Sequence, residues 1–135
     1  MTAKKGFTLS EILIVVIILG IMASFAIPGY LKTITRGHIK GATVNLISIH
    51  AANTIHRSES GKYWPEAVGP FGLDDINLNL RLSIISSPAV AYSCSGQADG
   101  STFSCTATGD NFVVTIDQDP IDATNPSCSP AGVCP

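Results

Sequence analysis

The chain has 135 residues, 45% apolar and only 13% charged, with a formal net charge of −2. That length suits one domain and that apolar content excludes a disordered chain, while the acidic balance excludes a generally basic nucleic-acid binder. The shortage of charge points to a surface that faces lipid or other subunits, and four cysteines without a C-x-x-C spacing argue for disulfides rather than zinc.

The N-terminus opens with Lys4 and Lys5, and residues 12–27 then carry no charge, with only Gly20 and Ser24 as breaks. As a helix, Phe7 to Ile27 spans about 31 Å, close to the hydrocarbon thickness of a bilayer. The two lysines hold the N-terminus in the cytoplasm and send the rest across. Glu11 sits at the edge of this run. A carboxylate at the centre of a membrane costs about 2.5–3.5 kcal/mol on insertion scales, so such a residue implies a partner. The plainer reading leaves Glu11 shallow, among the headgroups.

Residues 31–58 read as a second helical stretch. Ile39, Ala42, Leu46 and Ile49 form one row, and Val44, Ile47, Ala51 and Ile55 a second beside it, giving a wide apolar face. Gly61 is the expected stop. Joined to the first run, this makes a helix of about fifty residues, half of which needs cover from something other than its own head. Residues 62–88, rich in Pro, Gly and Asp, read as an irregular connector with a short strand or helical turn near residues 78–85. Strands follow at 89–95, 101–108 and 112–117 as an antiparallel meander, and the proline-rich tail from Gln118 reads as loop.

Charge is segregated along the chain. Lys32, Arg36, Lys40, Arg57 and Lys62 face only Glu59 in the helical stretch. From Trp64 onward Arg81 alone stands against Glu66, Asp74, Asp75, Asp99, Asp110, Asp117, Asp119 and Asp122. Each face is either simply solvated, or the basic stems and acidic heads of neighbouring copies attract one another.

A two-residue Asp99–Gly100 turn would set Cys94 opposite Cys105. It would also put them at a hydrogen-bonded pair, where side chains lie farther apart; a bulge or longer loop could repair that, so the register stays open. Cys128 and Cys134 enclose a turn-rich segment that can close on itself. The favoured pairing is therefore Cys94–Cys105 with Cys128–Cys134. The alternative ties the tail to the sheet.

Other candidate sites are weaker. His38, His50 and His56 lack the spacing for a metal site on one helix face. Asp117, Asp119 and Asp122 offer oxygen ligands suited to calcium but lack EF-hand spacing, so an acidic loop is preferred. Tyr63, Trp64 and Pro65 read as a packing patch beneath the head. No G-x-S-x-G or phosphate-binding glycine loop occurs, so neither an enzyme nor a bound cofactor is expected.

Lys4-Lys5-Gly6-Phe7-Thr8-Leu9-Ser10-Glu11, followed by the apolar run, resembles the leader and mature start of type IV pilins, in the short-leader class shared by type IVa pilins and pseudopilins. The resemblance covers about residues 4–30. It implies cleavage between Gly6 and Phe7 by a prepilin peptidase, N-methylation of Phe7, and a role for Phe7 and Glu11 in assembly. The methylated amine of Phe7, from the same or a neighbouring chain, would supply the cation that Glu11 needs. Gly20, Pro28 and Tyr30 match residues the family places along this helix, and Gly20 with Pro28 marks a stretch expected to break or unwind. Ser10 replaces the more usual aliphatic residue. Pseudopilins also carry a C-terminal calcium loop, which is why the three aspartates matter.

The expected fold is α+β: a long N-terminal helix, a small antiparallel sheet and disulfide-bonded C-terminal loops. The organisation is leader 1–6, apolar assembly helix 7–29, amphipathic helix half 30–61, connector 62–88, and sheet with C-terminal loop 89–135. The implied function is that of a structural subunit, a major pilin. It would enter the bacterial inner membrane as a precursor and polymerise as a homo-oligomer, with the pilus assembly machinery, into an extracellular filament. Such filaments serve attachment, motility or DNA uptake, and direct nucleic-acid binding is not expected. A type II secretion pseudopilin or a minor pilin is the alternative. A secretory signal cleaved after Ser24-Phe25-Ala26 would instead release a soluble protein from Ile27. That leaves the Gly6–Glu11 segment without a purpose.

Overall fold

A computed structural model describes residues 6–134; Lys4 and Lys5 lie outside the described residues. The elements are α1 (Leu9–Ser60), β1 (Phe71–Gly72), α2 (Leu73–Asn79), β2 (Ala91–Gly96), β3 (Phe103–Thr108), β4 (Val113–Asp117) and β5 (Ser127–Ser129). The chain divides into two units, Met1–Ile34 and Thr35–Pro135, and α1 contributes to both.

In the first unit, α1 is apolar on all sides, and residues 12–19 are each 50–61% exposed. Among the described residues it is the one helix long and apolar enough to span a membrane. The break expected at Gly20 and Pro28 is not present, since α1 is helical through both. Proline removes one N–H, leaving the carbonyl of Ser24 without its usual donor. Side chains bond nearby carbonyls: Ser24 donates to Ile21 O at 2.7 Å and Thr33 to Gly29 O at 3.0 Å. A helix without protein cover around it has no substitute for its own ladder.

In the second unit, the later half of α1 packs on an antiparallel sheet with strand order β1-β2-β3-β4-β5. Ile39, Ala42, Leu46 and Ile49 are buried against Tyr92, Phe103, Cys105, Ala107, Val114 and Ile116. Burial alternates along β2, β3 and β4, as a sheet with one covered face requires. The second row of the apolar face is left uncovered: Val44, Ala51 and Ile55 are exposed and Ile47 is half-buried. One sheet reaches only one stripe of a helix, and the row that completes the buried stripe is Asn53, with no exposure at all.

Asn53 is buried because it clamps the backbone of Trp64. Its amide Nδ2 donates to Trp64 O, and Trp64 N–H donates to Asn53 Oδ1 at 2.8 Å. That clamp seats Tyr63, Trp64 and Pro65 in the core, so the aromatic cluster is a packing patch. Arg57 stacks on the Tyr63 ring and donates to its hydroxyl at 2.8 Å. Gly61, at φ +82°, ends α1 by donating its N–H to Arg57 O at 2.8 Å. A left-handed residue after the last turn is the usual place for glycine.

The connector holds its regular structure earlier than expected, in β1 and α2 rather than near residues 78–85. Asp74 and Asp75 lie in the first turn of α2, where carboxylates favour the positive end of the helix, rather than forming a turn. Ile76 and Leu80 anchor α2 in the core. After α2 the chain is tied by Asn77, whose side chain donates to Ile84 O and accepts from Ile84 N–H.

The β2–β3 loop is longer than a two-residue turn. Gln97 N–H donates to Thr102 O at 3.4 Å and Gly100 N–H to Gln97 O at 2.9 Å, so residues 98–101 form the loop. Gln97 and Thr102 are thereby a hydrogen-bonded pair. Alternation along the ladder then makes Cys94–Cys105 a non-hydrogen-bonded pair, with Cα atoms 4.1 Å apart. Those two cysteines are bridged on the core face of the sheet, and Cys128 is bridged to Cys134. A bridge of this kind contributes about 2–4 kcal/mol.

The tail is not all loop, because β5 pairs with β4, Val113 to Ser129, Val114 to Cys128 and Thr115 to Ser127. Pro126 and Pro130 flank it. Proline cannot extend a ladder, so the strand stays short and lies on the edge.

Candidate processing and assembly site

Gly6 and Phe7 precede α1 in non-helical conformation, and Phe7 is 83% exposed. Thr8 is the residue just before the helix. Its hydroxyl accepts from Glu11 N–H at 3.3 Å, while Thr8 N–H donates to the Glu11 carboxylate at 2.8 Å. This reciprocal arrangement is a capping box, which satisfies two N–H groups that a helix start leaves without partners. The Thr8 hydroxyl also donates to the same carboxylate oxygen, at 2.8 Å, and Ser10 Oγ lies 3.1 Å from Thr8 Oγ1.

Thr8 is therefore a site residue alongside Gly6, Phe7 and Glu11. The signal was present, since Thr8-Leu9-Ser10-Glu11 has the T-x-x-E pattern ahead of an apolar run. The consequence for Glu11 is chemical. Both bonds from Thr8 go to Oε2, leaving Oε1 without a hydrogen bond among the described residues. A carboxylate held there lies beside the Gly6–Phe7 segment, and the four residues Gly6, Phe7, Thr8 and Glu11 line one small cleft. A cation formed at Phe7 after cleavage would arise one residue from the threonine that orients this carboxylate.

The other candidates separate. Asp117, Asp119 and Asp122 do not gather as ligands, and among the described residues no group of three or more His, Cys, Asp or Glu side chains converges on a metal position. Their loop is organised by Asn125, whose Nδ2 donates to Asp117 Oδ1 at 2.9 Å and to Asp119 O at 2.7 Å. Asp122 accepts from Thr124 N–H at 2.6 Å, the Thr124 hydroxyl at 2.7 Å and Asn125 N–H at 3.1 Å. Those bonds, led by the Thr124 N–H, hold the Asp122 carboxyl below its ordinary pKa. Asp117 Oδ1 and Asp122 Oδ1 thus staple the loop, while Asp119 contributes its backbone carbonyl. Of the histidines, His50 and His56 contact backbone oxygens, Asp119 O at 3.0 Å and Lys62 O at 3.1 Å.

The model of the prokaryotic N-terminal methylation motif matches residues 1–27. The chain is 41% identical over 60 residues to the type IV major pilin protein PilA of Myxococcus xanthus, covering 44% of this chain and 27% of that protein. It is 33% identical over 92 residues to the type IV major fimbrial protein FimA of Dichelobacter nodosus, covering 67% and 58%. It is 32% identical over 63 residues to the type II secretion system core protein G of Vibrio cholerae, covering 47% and 43%. The chain thus spans less than two thirds of the length of each of these relatives. No solved structure gives a significant match. The pilins among these relatives are structural proteins rather than enzymes. The methylation motif, these similarities, the long N-terminal helix and the small disulfide-bearing sheet support a place for the chain in the type IV pilin and pseudopilin superfamily.

Proposed function

We propose that the chain is the structural subunit, the major pilin, of a type IV pilus of the short-leader, type IVa-like kind. The observation that carries this reading is the state of α1 before residue 30. It is apolar all round and exposed all round, and it begins at a capping box beside the Gly6–Phe7 segment. Such a surface needs lipid before assembly and neighbouring helices after it.

In this reading a prepilin peptidase cuts between Gly6 and Phe7 while the precursor sits in the inner membrane, and Phe7 is methylated. The subunit then leaves the bilayer by exchanging lipid contacts for the helices of other copies, driven by assembly machinery, into a filament outside the cell. Glu11 needs a cation in that dry core, because a buried unpaired carboxylate is strongly unfavourable. The Phe7 amine supplies it, and the pairing favours one axial offset between neighbours. A break between Gly20 and Pro28 would belong to the assembled state, where neighbours cover the backbone. Attachment, motility and DNA uptake are the roles open to such a filament.

The similarity to the secretion-system core protein G matches a second reading, a pseudopilin, without favouring it. The test is the intact mass and N-terminal sequence of the mature protein, with electron microscopy of the sheared surface fraction. An N-methylated Phe7 start and filaments outside the cell support the pilus. The same start with the protein kept in the periplasm supports the pseudopilin. A start at Ile27 overturns both.

A further inference from the structure

The head carries a groove that processing and the packing of apolar helices leave unused. It encloses about 730 Å³ between the last turns of α1 and the loop after α2, and Ser48, Ala52, Ile55, His56, Arg81 and Leu82 are among its lining residues. Two features of Arg81 stand out. It is the single basic residue from Trp64 to the C-terminus, and its guanidinium pairs with no carboxylate among the described residues. It also sits at φ +53°, a left-handed position directly after α2 where Leu82 N–H closes back to Asn77 O at 3.0 Å. Glycine is the residue that suits such a position, so arginine stands there against local preference.

A complementary feature lies elsewhere on the head. The loop stapled by Asn125 and Asp122 presents Ile121, 45% exposed, which follows Asp119 and precedes Asp122 in the chain. That loop is tied to α1 where His50 meets Asp119 O at 3.0 Å. At about 100° per residue, Ser48, Ile55 and Glu59 point roughly 140–180° around the helix from His50. The loop and the groove therefore occupy opposite sides of α1. One molecule cannot close the two on each other, but a second copy can.

We propose that the acidic loop of one copy docks into the α1–Arg81 groove of the next, with Ile121 against Ile55 and the apolar groove floor and Asp119 paired with Arg81. This rests on the reading of the chain as a filament subunit, and names a contact between heads within it. A contact between two different patches does not satisfy itself, so each added copy presents a fresh groove or loop, as an open filament requires. Glu59 also lines the groove without an ion-pair partner among the described residues. Its charge repels the incoming carboxylates and directs them to the Arg81 side.

Filament yield in the sheared fraction is the readout, in cells whose wild-type chain assembles. Arg81→Glu and Asp119→Arg should each lower it at least tenfold, and the two together should restore it to within threefold of wild type. Arg81→Gly guards against misfolding: it should raise the melting temperature of the full chain in detergent and still lower filament yield. Wild-type yield from Arg81→Glu, or a double variant no better than the single ones, would overturn the contact while leaving the pilus reading intact. A wild-type chain that forms no filament overturns the pilus reading first, and the contact with it.

Discussion

Replacing Glu11 with Gln separates two roles that the site combines. In the precursor the Glu11 carboxylate caps α1 by accepting Thr8 N–H at 2.8 Å. A glutamine carbonyl can accept the same bond, since the capping box is made by Glu or Gln. Losing such a cap altogether would cost about 0.5–2 kcal/mol. Glu11→Gln should therefore leave the helix start, membrane insertion and cleavage near normal. In the proposed filament the outcome differs. There the variant would leave a buried amine at Phe7 without its counter-charge, and breaking a buried pair costs about 3–5 kcal/mol. That corresponds to roughly a hundredfold to several-thousandfold loss in the equilibrium for adding a subunit, at about 1.4 kcal/mol per decade. The assay is paired: intact mass of the membrane-resident subunit, which should begin at Phe7, and filament mass sheared from the cell surface. Glu11→Ala, which loses cap and charge together, should be no better than Glu11→Gln. Wild-type filament yield from Glu11→Gln would refute the charge pairing and leave Glu11 as a helix cap alone.

Two further outcomes follow from the head. Asn53→Ala should lower stability by about 2–6 kcal/mol, because it strands the buried N–H and C=O of Trp64, at roughly 1–3 kcal/mol each; thermal melting of the full chain in detergent measures this, and a melting temperature unchanged within error would show that water replaces the clamp. Asp122 has its pKa lowered by Thr124 and Asn125, so its bonds add stability above the ordinary carboxylate range, and that contribution is lost as pH falls through the lowered value. Melting curves from pH 7 to pH 3 should show wild type above Asp122→Asn at neutral pH and the two converging in acid; a gap that stays constant with pH would place the effect outside titration.

What was legible in the sequence was what local chemistry decides. The apolar run, Glu11 at its edge and the row Ile39, Ala42, Leu46 and Ile49 each follow from spacing alone. So does the opposition of Cys94 and Cys105. Their steric fit left two repairs open, a bulge or a longer loop, and spacing alone did not choose between them because Asp99–Gly100 reads as a tighter turn than the one the chain adopts. The tail misled for a related reason: Pro126 and Pro130 punctuate a loop, and only the free edge of β4 makes a strand of the residues between them. Asn53 was illegible because a polar residue earns a core position only through its partner, and Trp64 lies beyond the helix end. Val44 and Ile55 belong to the apolar face without joining the core, because hydrophobicity marks a residue for burial without saying by what.

That last ambiguity reaches to the function. Burial in one chain is limited to what its own sheet can cover, a single stripe of α1 in the second unit. Ile55 and the groove beside it, like the whole surface of residues 12–19, are left to other molecules. The two surfaces call for different partners. The N-terminal one is apolar on every side, so it is satisfied equally by lipid and by helices, and it can change one for the other at little cost in hydrophobic burial. Such a surface gives cohesion but little selectivity, because lipid tails compete with it on equal terms. Selectivity must then come from the polar features that lipid cannot match. In the proposed filament those would be the Thr8–Glu11 carboxylate at one end of α1 and Arg81 with the acidic loop at the other. A filament built on both would take its register from charges at the two ends of the helix and its cohesion from the apolar surface that the single chain leaves uncovered.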